Sequence, residues 1–531
     1  MSLAKKLKKK TANHVCVVAR AGTGKTTTMI EGLNVLFGNG SKFIPSKQQK
    51  DIWDEIKKSK DAKTVTFCCF NKSIQQELSK KVPEGCQALT MHSMGFRAVQ
   101  SAFGRIKPDS WRTTNIICEL LGMTSHEARK KKGDILRATE RLTSLCKQNL
   151  LDGTPDQLES LIAYHDIEID RGIIEVFNLV PQVLERSKDV ESDRSCHFDD
   201  MIWLPIVLDL HVPKSDLLLV DEAQDLNRCQ QALAKKAGKR LIFIGDPKQA
   251  IYGFAGADSK SMQRLQNELS ETSEGCKQLP LTMTYRCGKA IVEKAQTLVS
   301  DFEAHENNGE GKVDNDILLG ESTEGPADYA FKVQEGKLVC ALEPGTMILC
   351  RCNAPLVSQC FRFIREGIKA TIRGRDIGKG LIQLVMKLSK QGTQWIEEDK
   401  QVQIEFFLNK LSEWNDTETE KENSKKNPSD SKLMSISDKY KTLICFTEEA
   451  ETVGEIIEKI ESVFSDSSSP GIQLSSIHKA KGLESQRVIF LQPKEAPCPH
   501  PMAKSATARE QEFNLLYVAY TRAIEELIIV S

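Results

Sequence analysis

One apolar run that ends in carboxylates constrains the fold of this chain more than any other feature. Residues 217–227 read LLLVDEAQDLN, so four large apolar residues lead directly to Asp221 and Glu222. A short apolar run of this kind is typical of a strand buried in a parallel sheet. A solvated acidic turn is the alternative, but it does not explain the apolar approach. The segment therefore predicts an α/β protein in which a buried strand delivers two carboxylates to a nucleotide.

A glycine-rich loop near the N-terminus supplies the matching phosphate cradle. It follows a β-prone run and leads into a helix predicted over residues 27–36. Gly22 and Gly24 let the backbone approach phosphate oxygens, and the start of the following helix favours an anion. Ala19 stands where the commonest form of this motif has its first glycine, and it is small enough to keep the loop intact. The predicted nucleotide-binding residues are Ala19, Arg20, Ala21, Gly22, Thr23, Gly24, Lys25 and Thr26.

These two elements predict ATP and Mg²⁺ as the substrate and its metal ion. Lys25 is expected to reach the β and γ phosphates, and the Thr26 hydroxyl to ligate Mg²⁺. Asp221 would hold the Mg²⁺ shell, while Glu222 would orient and deprotonate the attacking water. A second buried strand, at residues 241–245, leads to Gln249, which is placed to sense the γ-phosphate.

Composition limits the possible partners and compartments. The 531 residues include 73 Lys plus Arg and 73 Asp plus Glu, so any contact with nucleic acid must come from a local track. The 16 cysteines contain no CxxC pair, which favours reduced thiols in an intracellular compartment, cytoplasmic or nuclear, over a secreted protein. No apolar run approaches the ~18 residues of a membrane span. A lysine cluster at residues 5–10 is either a nuclear address, a phosphate contact or a solvated terminus.

Three turns carry side chains suited to a nucleic-acid strand. Polar groups there can meet backbone phosphates, and aromatic rings can stack on bases. Most strand-to-helix turns bind nothing, so each turn alone is weak evidence. The candidates are Phe70, Asn71 and Lys72 in the first turn, Thr90, His92 and Ser93 in the second, and Tyr252 and Phe254 in the third.

The order of the motifs makes the pattern specific. From residue 19 to residue 523 the chain carries, in sequence, GTGKT, DEAQD, GDPKQAIYGFAGA, LTMTYRC, SSIHKAKGLE and NLLYVAYTRA. In this order the chain resembles the UvrD/Rep-type superfamily 1 DNA helicases. RGRDIGKGL at residues 373–381 and the NLLYVAYTRA ending are most similar to the branch that contains the F-box DNA helicase and its viral and bacterial relatives.

The resemblance implies two RecA-like lobes, with ATP between them and single-stranded DNA across both. Carried over by motif position, Tyr285 stacks on adenine, and Arg286 and Arg522 reach the γ-phosphate. Cations that arrive only when the lobes close would stabilise charge on the transferred group. Glu484 helps join the lobes at the nucleotide. The residues implied on the DNA side are His478 and Lys481.

Three positions depart from the family pattern. The adenine-reading glutamine usually precedes the phosphate loop, yet none of the first eighteen residues is Gln. Either Gln48 or Gln49 folds back to adenine, or their segment is an exposed helix start capped by Ser46. Ala255 stands where many relatives have Arg, and Ser476 where Thr is usual. Base selectivity is therefore left open.

The intervals between motifs predict two lobes, each interrupted by a mainly helical insertion. Residues 415–437 are polar and nearly free of large apolar groups, so they are expected to be disordered. Residues 129–132 are a candidate phosphate track or a solvated helix face. The expected domains are a first RecA-like lobe at 1–94 and 198–280, its helical insertion at 95–197, a second RecA-like lobe at 281–389 and 470–531, and a reduced insertion at 390–469.

The expected activity is ATP-dependent 3′ to 5′ movement along single-stranded DNA with duplex unwinding, in repair, recombination or replication. The polarity comes from the resemblance alone. Single-stranded and junction DNA are the expected partners, with repair or replication proteins as further candidates, no membrane, and the oligomeric state open. The alternatives are an RNA helicase, a translocase that strips proteins such as a recombinase from DNA, and the motor of a helicase-nuclease. Since the chain ends at Ser531, the nuclease of that third alternative is expected on a partner.

Overall fold

The chain divides into two compact units, Met1–Thr282 and Met283–Ser531. The computed structural model describes residues 13–530 apart from residues 70, 166, 168, 170–171, 252–259, 318–344, 366–369, 392–393, 396–399, 425–427, 429, 449, 465–470, 493–495, 502 and 504–505. Of the sequence-based expectations, those for Phe70, Tyr252, Phe254 and Ala255 and for the lysine cluster lie outside the described residues.

The first unit is built on a six-stranded sheet in which all neighbours run parallel, in the order β3-β2-β6-β7-β1-β8. Its central strands consist of apolar residues that are almost all buried, as a sheet covered on both faces requires. A pair of two-residue strands, β4 and β5, lies outside this sheet. The strands are β1 His14–Ala19, β2 Val65–Cys69, β3 Cys86–Thr90, β4 Lys107–Pro108, β5 Ser195–Cys196, β6 Ser215–Val220, β7 Gly238–Gly245 and β8 Cys276–Leu281.

Twelve helices accompany these strands in the described part of the first unit. The helices between β4 and β5 lie in the interval expected to be a helical insertion, and several of them pack on one another. Short 3₁₀ turns lie at Ala223–Asp225 and Pro247–Gln249. The helices are α1 Lys25–Leu36, α2 Lys47–Lys57, α3 Lys72–Leu78, α4 Met91–Phe103, α5 Arg112–Leu121, α6 Ser125–Asn149, α7 Pro155–His165, α8 Ile173–Ser187, α9 Val190–Asp193, α10 Phe198–Val207, α11 Arg228–Ala237 and α12 Ser261–Glu271.

The second unit contains another six-stranded parallel sheet, in the order β11-β18-β17-β12-β16-β13. Together with the first sheet it confirms the predicted α/β fold of two parallel-sheet, RecA-like lobes. The remaining short strands form two-stranded pairs, β9 with β10 and β14 with β15. The strands are β9 Met283–Thr284, β10 Glu303–Ala304, β11 Lys312–Ile317, β12 Met347–Cys350, β13 Ala370–Arg373, β14 Lys390–Gln391, β15 Gln394–Trp395, β16 Ile472–Ser476, β17 Ser485–Leu491 and β18 Ala523–Val530.

Seven helices in the described part of the second unit cover its sheet and build its insertion. The longest, α16, packs against α17 and joins α14, α15 and α18 around one apolar core. The helices are α13 Lys289–Gln296, α14 Ala354–Arg365, α15 Arg375–Leu388, α16 Lys400–Asn423, α17 Asp430–Thr447, α18 Val453–Val463 and α19 Ala506–Tyr520.

The expectation that residues 415–437 are disordered is wrong for the part of that segment which the structure describes. Residues 415–423 are the last turns of α16, and residues 430–437 are the first turns of α17. Both helices are anchored by apolar residues outside or at the edge of the segment, including Phe407 and Leu411. Inside it, the buried Glu422 lies 3.6 Å from the Lys432 ammonium. A polar composition therefore concealed the ends of two helices, where most side chains are partly or fully exposed.

Parallel topology decides where functional residues meet. Because all strands of the first sheet point the same way, the segments that follow them emerge at one edge. The phosphate loop follows β1, the carboxylate pair follows β6, and Asp246 follows β7. The candidate DNA turns follow β2 and β3 at the same edge. No helix among the described residues is long and apolar enough to span a bilayer.

Candidate functional site

The phosphate loop has the geometry that its sequence predicts. Gly22 and Gly24 have φ values of 65° and 72°, in the left-handed region that favours glycine, and α1 begins at the next residue, Lys25. Ala19 is fully buried and ends β1 in register with Leu281. The methyl side chain of Ala19 is accommodated inside the core at this position.

Two contacts join the phosphate loop to the carboxylates that follow β6. The Thr26 hydroxyl donates a hydrogen bond to Asp221 Oδ2 at 2.5 Å. The Lys25 ammonium lies 3.6 Å from Glu222 Oε1. A hydroxyl and a carboxylate in direct contact form the donor pair that holds Mg²⁺ in phosphate-loop enzymes, so these residues fit the predicted metal ion.

The two carboxylates differ in environment. Burial, with the neighbouring Glu222 charge, raises the pKa of Asp221 to about 6, although Lys25 and Thr26 oppose the shift. Glu222 itself has φ 51°, an unusual value for a residue with a side chain. Such strain is concentrated at functional sites because the surrounding contacts enforce it. Here the Glu222 amide donates to Asp221 Oδ1 at 2.8 Å.

Asp246, after β7, connects three sequence-distant segments. Its carboxylate lies 3.4 Å from Arg20 Nη1 and accepts a hydrogen bond from Gln249 Nε2 at 3.0 Å. Its backbone amide donates to Gln224 Oε1 at 3.0 Å. Gln224 in turn donates to Glu222 Oε2 at 2.6 Å. Gln249 is therefore part of a buried network around the phosphate loop, which sequence reasoning described only as a γ-phosphate sensor.

The glutamines that follow the phosphate loop are both engaged. Ser46 caps α2 as expected, but the helix start is not exposed, since Gln49 is buried and donates to Thr28 Oγ1 at 3.2 Å. Gln48 makes a reciprocal pair with Thr282, with both hydrogen bonds at 2.9 Å. Thr282 follows β8, the strand next to β1. The fold thus brings Gln48 beside the end of β8, the neighbour of β1, and Gln49 against α1.

In the second unit, the residues predicted to act on the γ-phosphate cluster together. Arg286 Nε lies 2.6 Å from Glu484 Oε2, and Arg286 Nη1 donates to the Thr521 carbonyl at 3.4 Å. Arg522 Nη1 donates to the Leu483 carbonyl at 2.9 Å. The segments around residues 286, 484 and 522 therefore meet, although about 200 residues separate the first from the second.

Tyr285 and His478 differ in exposure. Tyr285 is 41% exposed, and its ring lies 4.9 Å from the His305 ring. No sequence signal identified His305. Burial, assisted by Arg351 and Lys479, lowers the pKa of His478 to about 3, so this imidazole is neutral at neutral pH. The loop that carries it, with Lys481, follows β16.

The predicted DNA turns of the first unit have structural roles of their own. Asn71 caps α3, with its side chain accepting from the Ile74 amide at 2.9 Å. Thr90 and Ser93 form a capping box at the start of α4. Lys72 is exposed, whereas burial lowers the pKa of His92 despite the opposing charge of Asp199. Capping alone explains the residue types at positions 71, 90 and 93.

Two family models match the chain. The UvrD/REP helicase N-terminal domain matches residues 3–270, and the UvrD-like helicase C-terminal domain matches residues 258–531. The chain belongs to the UvrD/Rep helicase family. This confirms the family resemblance drawn from the motif order.

Individual relatives agree with this assignment. F-box DNA helicase protein 1 of Schizosaccharomyces pombe is 24% identical over 97% of this chain, which spans 55% of that protein. The ATP-dependent DNA helicase srs2 of the same yeast is 34% identical over 17% of this chain and 10% of its own length. The ATP-dependent DNA helicase PcrA of Staphylococcus aureus is 29% identical over 24% of this chain and 17% of its own length. The chain thus spans about half the length of the first of these relatives.

Proposed function

We propose that the chain is an ATP-dependent DNA helicase that moves 3′ to 5′ on single-stranded DNA and separates duplexes. The observation that carries the proposal is the contact between Thr26 and Asp221 at 2.5 Å, beside Lys25 and Glu222. It unites a phosphate loop with the carboxylates of a hydrolytic site. Membership of a helicase family supports the coupling of hydrolysis to DNA, and the named relatives are DNA helicases. The 3′ to 5′ direction rests on the family resemblance.

We assign each of these residues a role in ATP hydrolysis or DNA binding. Lys25 and the loop amides bind the β and γ phosphates, and Glu222 accepts the proton of the attacking water. Thr26 and Asp221 would hold Mg²⁺, which would offset phosphate charge when bound. On the family resemblance, Arg286 and Arg522 are proposed to supply cations to the transferred group. On the same resemblance, His478 and Lys481 are proposed to contact the DNA strand, and the turns that follow β2 and β3 are further candidates.

The proposal is tested by comparing Glu222→Gln with Lys25→Ala. Glu222→Gln removes the base and keeps the side-chain size, so ATP and single-stranded DNA should bind while hydrolysis nearly stops. Lys25→Ala should weaken nucleotide binding as well as turnover. Fluorescent-nucleotide affinity, DNA affinity and steady-state ATPase are measured for both, with the exposed Glu271→Gln as a matched control. If Glu222→Gln keeps most of its hydrolysis, the hydrolytic role of this carboxylate is refuted.

Substrate class and direction need separate measurements. ATPase is assayed with single-stranded DNA, duplex DNA and RNA as stimulators, and we expect single-stranded DNA to stimulate most. A preference for RNA would replace the proposal with an RNA helicase. Strand displacement is then compared on duplexes with a 3′ or a 5′ single-stranded tail. We expect unwinding only from the 3′ tail, and efficient protein removal with weak unwinding would instead identify a stripping translocase.

A further inference from the structure

Two exposed aromatic residues follow a pair of short strands in the helical part of the first unit. β4 and β5 pair in parallel, and the Asp109 amide continues the pairing by donating to the Cys196 carbonyl at 2.9 Å. Both segments therefore leave in the same direction, and α5 and α10 begin soon afterwards, at Arg112 and Phe198. Trp111 precedes α5 and Phe198 begins α10, with 58% and 50% of their surfaces exposed. Single exposed aromatics are common, but two that follow paired strands can contribute to one surface.

Unpaired cations line the cavity next to these rings. This cavity, of about 640 Å³, is lined by Arg105, Lys107 and Arg194, none of which forms an ion pair with a described residue. Its two acidic lining residues, Asp109 and Asp193, are already engaged by a backbone amide and by arginines of the protein. The cavity consequently presents positive charge to solvent, which suits a phosphate backbone.

A further cation lies directly on one of the rings. The guanidinium carbon of Arg129 is 5.1 Å from the centroid of the Trp111 ring. The lysines at the end of the candidate track, Lys131 and Lys132, instead pair with glutamates of the protein. Only part of the basic run at residues 129–132 is thus free for a ligand. Arg129 combines a charge for phosphate with a plane that stacks on aromatic groups.

A row of cavities connects this surface to the turn that follows β3. A cavity of about 240 Å³ includes Trp111, Lys147 and Asp199 in its lining. Another of about 240 Å³ also includes Lys147 and Asp199, and its lining extends to His92. The two cavities adjoin at Lys147 and Asp199. They run from a predicted DNA residue at the sheet edge out to Trp111.

We propose that the Trp111 platform, defined as Trp111, Phe198, Arg129, Arg105, Lys107 and Arg194, is a second binding site for unpaired DNA. The proposal rests on the proposed function and extends it, since a strand held at His92 would continue along the row of cavities to the platform. Unpaired bases stack on Phe198 and on the part of Trp111 that Arg129 leaves exposed, and the cations neutralise the backbone. A continuous duplex fits less well because its base faces are already stacked on one another.

The test compares the full chain with a Trp111→Ala, Phe198→Ala double variant, with Tyr164→Ala as the control. Tyr164 is an aromatic residue of the same insertion, 53% exposed, that lines none of these cavities. Fluorescent oligothymidines of two lengths are titrated, one short enough to fill a single site. We expect the double variant to bind the long strand roughly tenfold more weakly, because base stacking is lost, and the short strand unchanged. Equal affinity of variant and wild type for the long strand would overturn the proposal.

Two further measurements separate stacking from charge. In a second long strand, the half that would reach the Trp111 platform lacks bases but keeps its phosphates. Wild type and double variant should bind this strand equally. A variant that is weaker on this strand too, or on blunt duplex, would overturn the assignment to unpaired bases. Replacing Arg105, Lys107 and Arg194 with Gln should reduce the slope of log K against log salt by roughly 2, at about 0.7 per contact. An unchanged slope removes these cations from the site.

A failure of the platform can be distinguished from a failure of the proposed function. If the wild-type chain neither binds DNA nor hydrolyses ATP in response to it, the proposed function falls and the platform with it. If the wild type responds to DNA and the double variant matches it at every strand length, only the platform falls. The single variant Trp111→Phe, with Phe198 intact, should bind the long strand with wild-type affinity because it keeps an aromatic ring at position 111. A weaker affinity would contradict stacking.

Discussion

A buried charge network in the first unit allows a quantitative prediction for Asp200→Asn. Asp200 is fully buried and accepts hydrogen bonds from Arg112 Nη1 at 2.9 Å, from Lys147 Nζ at 2.6 Å and from the His197 amide at 2.8 Å. Arg112 and Lys147 are 2% and 1% exposed. The substitution keeps the shape of the side chain but removes the charge that compensates two buried cations. It should therefore destabilise the insertion.

The contacts that remain set the size of the effect. Removing one partner of a buried ion pair costs about 3–5 kcal/mol. Arg112 keeps Asp193 at 3.0 Å and a carbonyl at 3.0 Å. Lys147 keeps Ser187 Oγ at 3.0 Å and the Trp203 ring at 5.3 Å. These contacts place Asp200→Asn at the lower end of the range, about 3 kcal/mol, which increases local opening roughly 150-fold.

Hydrogen exchange measures this local opening without assuming two-state unfolding of a two-unit chain. The amides of α5, α6 and α10 should lose about 3 kcal/mol of protection, while those of the second unit remain unchanged. The control is Asp134→Asn, which breaks an ion pair whose side chains are 59% and 73% exposed and should cost below about 1 kcal/mol. A loss in Asp200→Asn no larger than in this control would refute the argument that the network holds the insertion.

Four further predictions concern three single residues and one segment. Gly245→Ala places a methyl group 2.4 Å from Gln224 Oε1, and the displacement should lower kcat roughly 10²-fold in steady-state ATPase; a wild-type kcat would contradict it. Arg522→Ala should lower kcat roughly 10³-fold with much less effect on nucleotide affinity, and a few-fold loss would exclude it as the transition-state cation. Gln48→Ala should reduce the preference in kcat/KM for ATP over GTP roughly tenfold if this side chain reads adenine, whereas an unchanged ratio removes it from base selection. A Gly/Ser linker in place of residues 415–437 should lower helicity measured by circular dichroism, since both flanking helices lose turns; unchanged helicity would restore the expectation of disorder.

The regular parts of the fold could be predicted from the sequence because they depend on local pattern. The run that became β6 is apolar, short and bounded by polar residues, so burial on both faces was its simplest outcome. The ends of α16 and α17 could not be recognised in the same way. Their exposed faces carry most of the polar residues of the segment, and the buried contacts of Glu422 depend on a partner helix. Amino-acid composition shows that the segment is polar, but it does not show which residues contact another helix.

The candidate site shows the same difference between features that depend on local sequence and features that depend on distant contacts. The phosphate loop and the carboxylate pair are continuous motifs, so their residues and their order predict their chemistry. The pairing of Gln48 with Thr282 joins residues 234 positions apart, and the contact of Arg20 with Asp246 joins residues 226 apart. No local pattern encodes such pairs. The left-handed backbone of Glu222 was equally hidden, because contacts from Gln224 and Asp221 enforce it rather than its own preference.

Gln224 connects Glu222 to Asp225 and Asp246 within the first unit. Its amide nitrogen donates to Glu222 Oε2 at 2.6 Å and lies 3.3 Å from Asp225 Oδ2, while its oxygen holds the Asp246 amide. Asp225 lines the same cavity as His92. A displacement of Glu222 would therefore disturb the hydrogen bonds that Gln224 makes with Asp225 and Asp246. Through Asp225, such a disturbance would reach the cavity that His92 also lines.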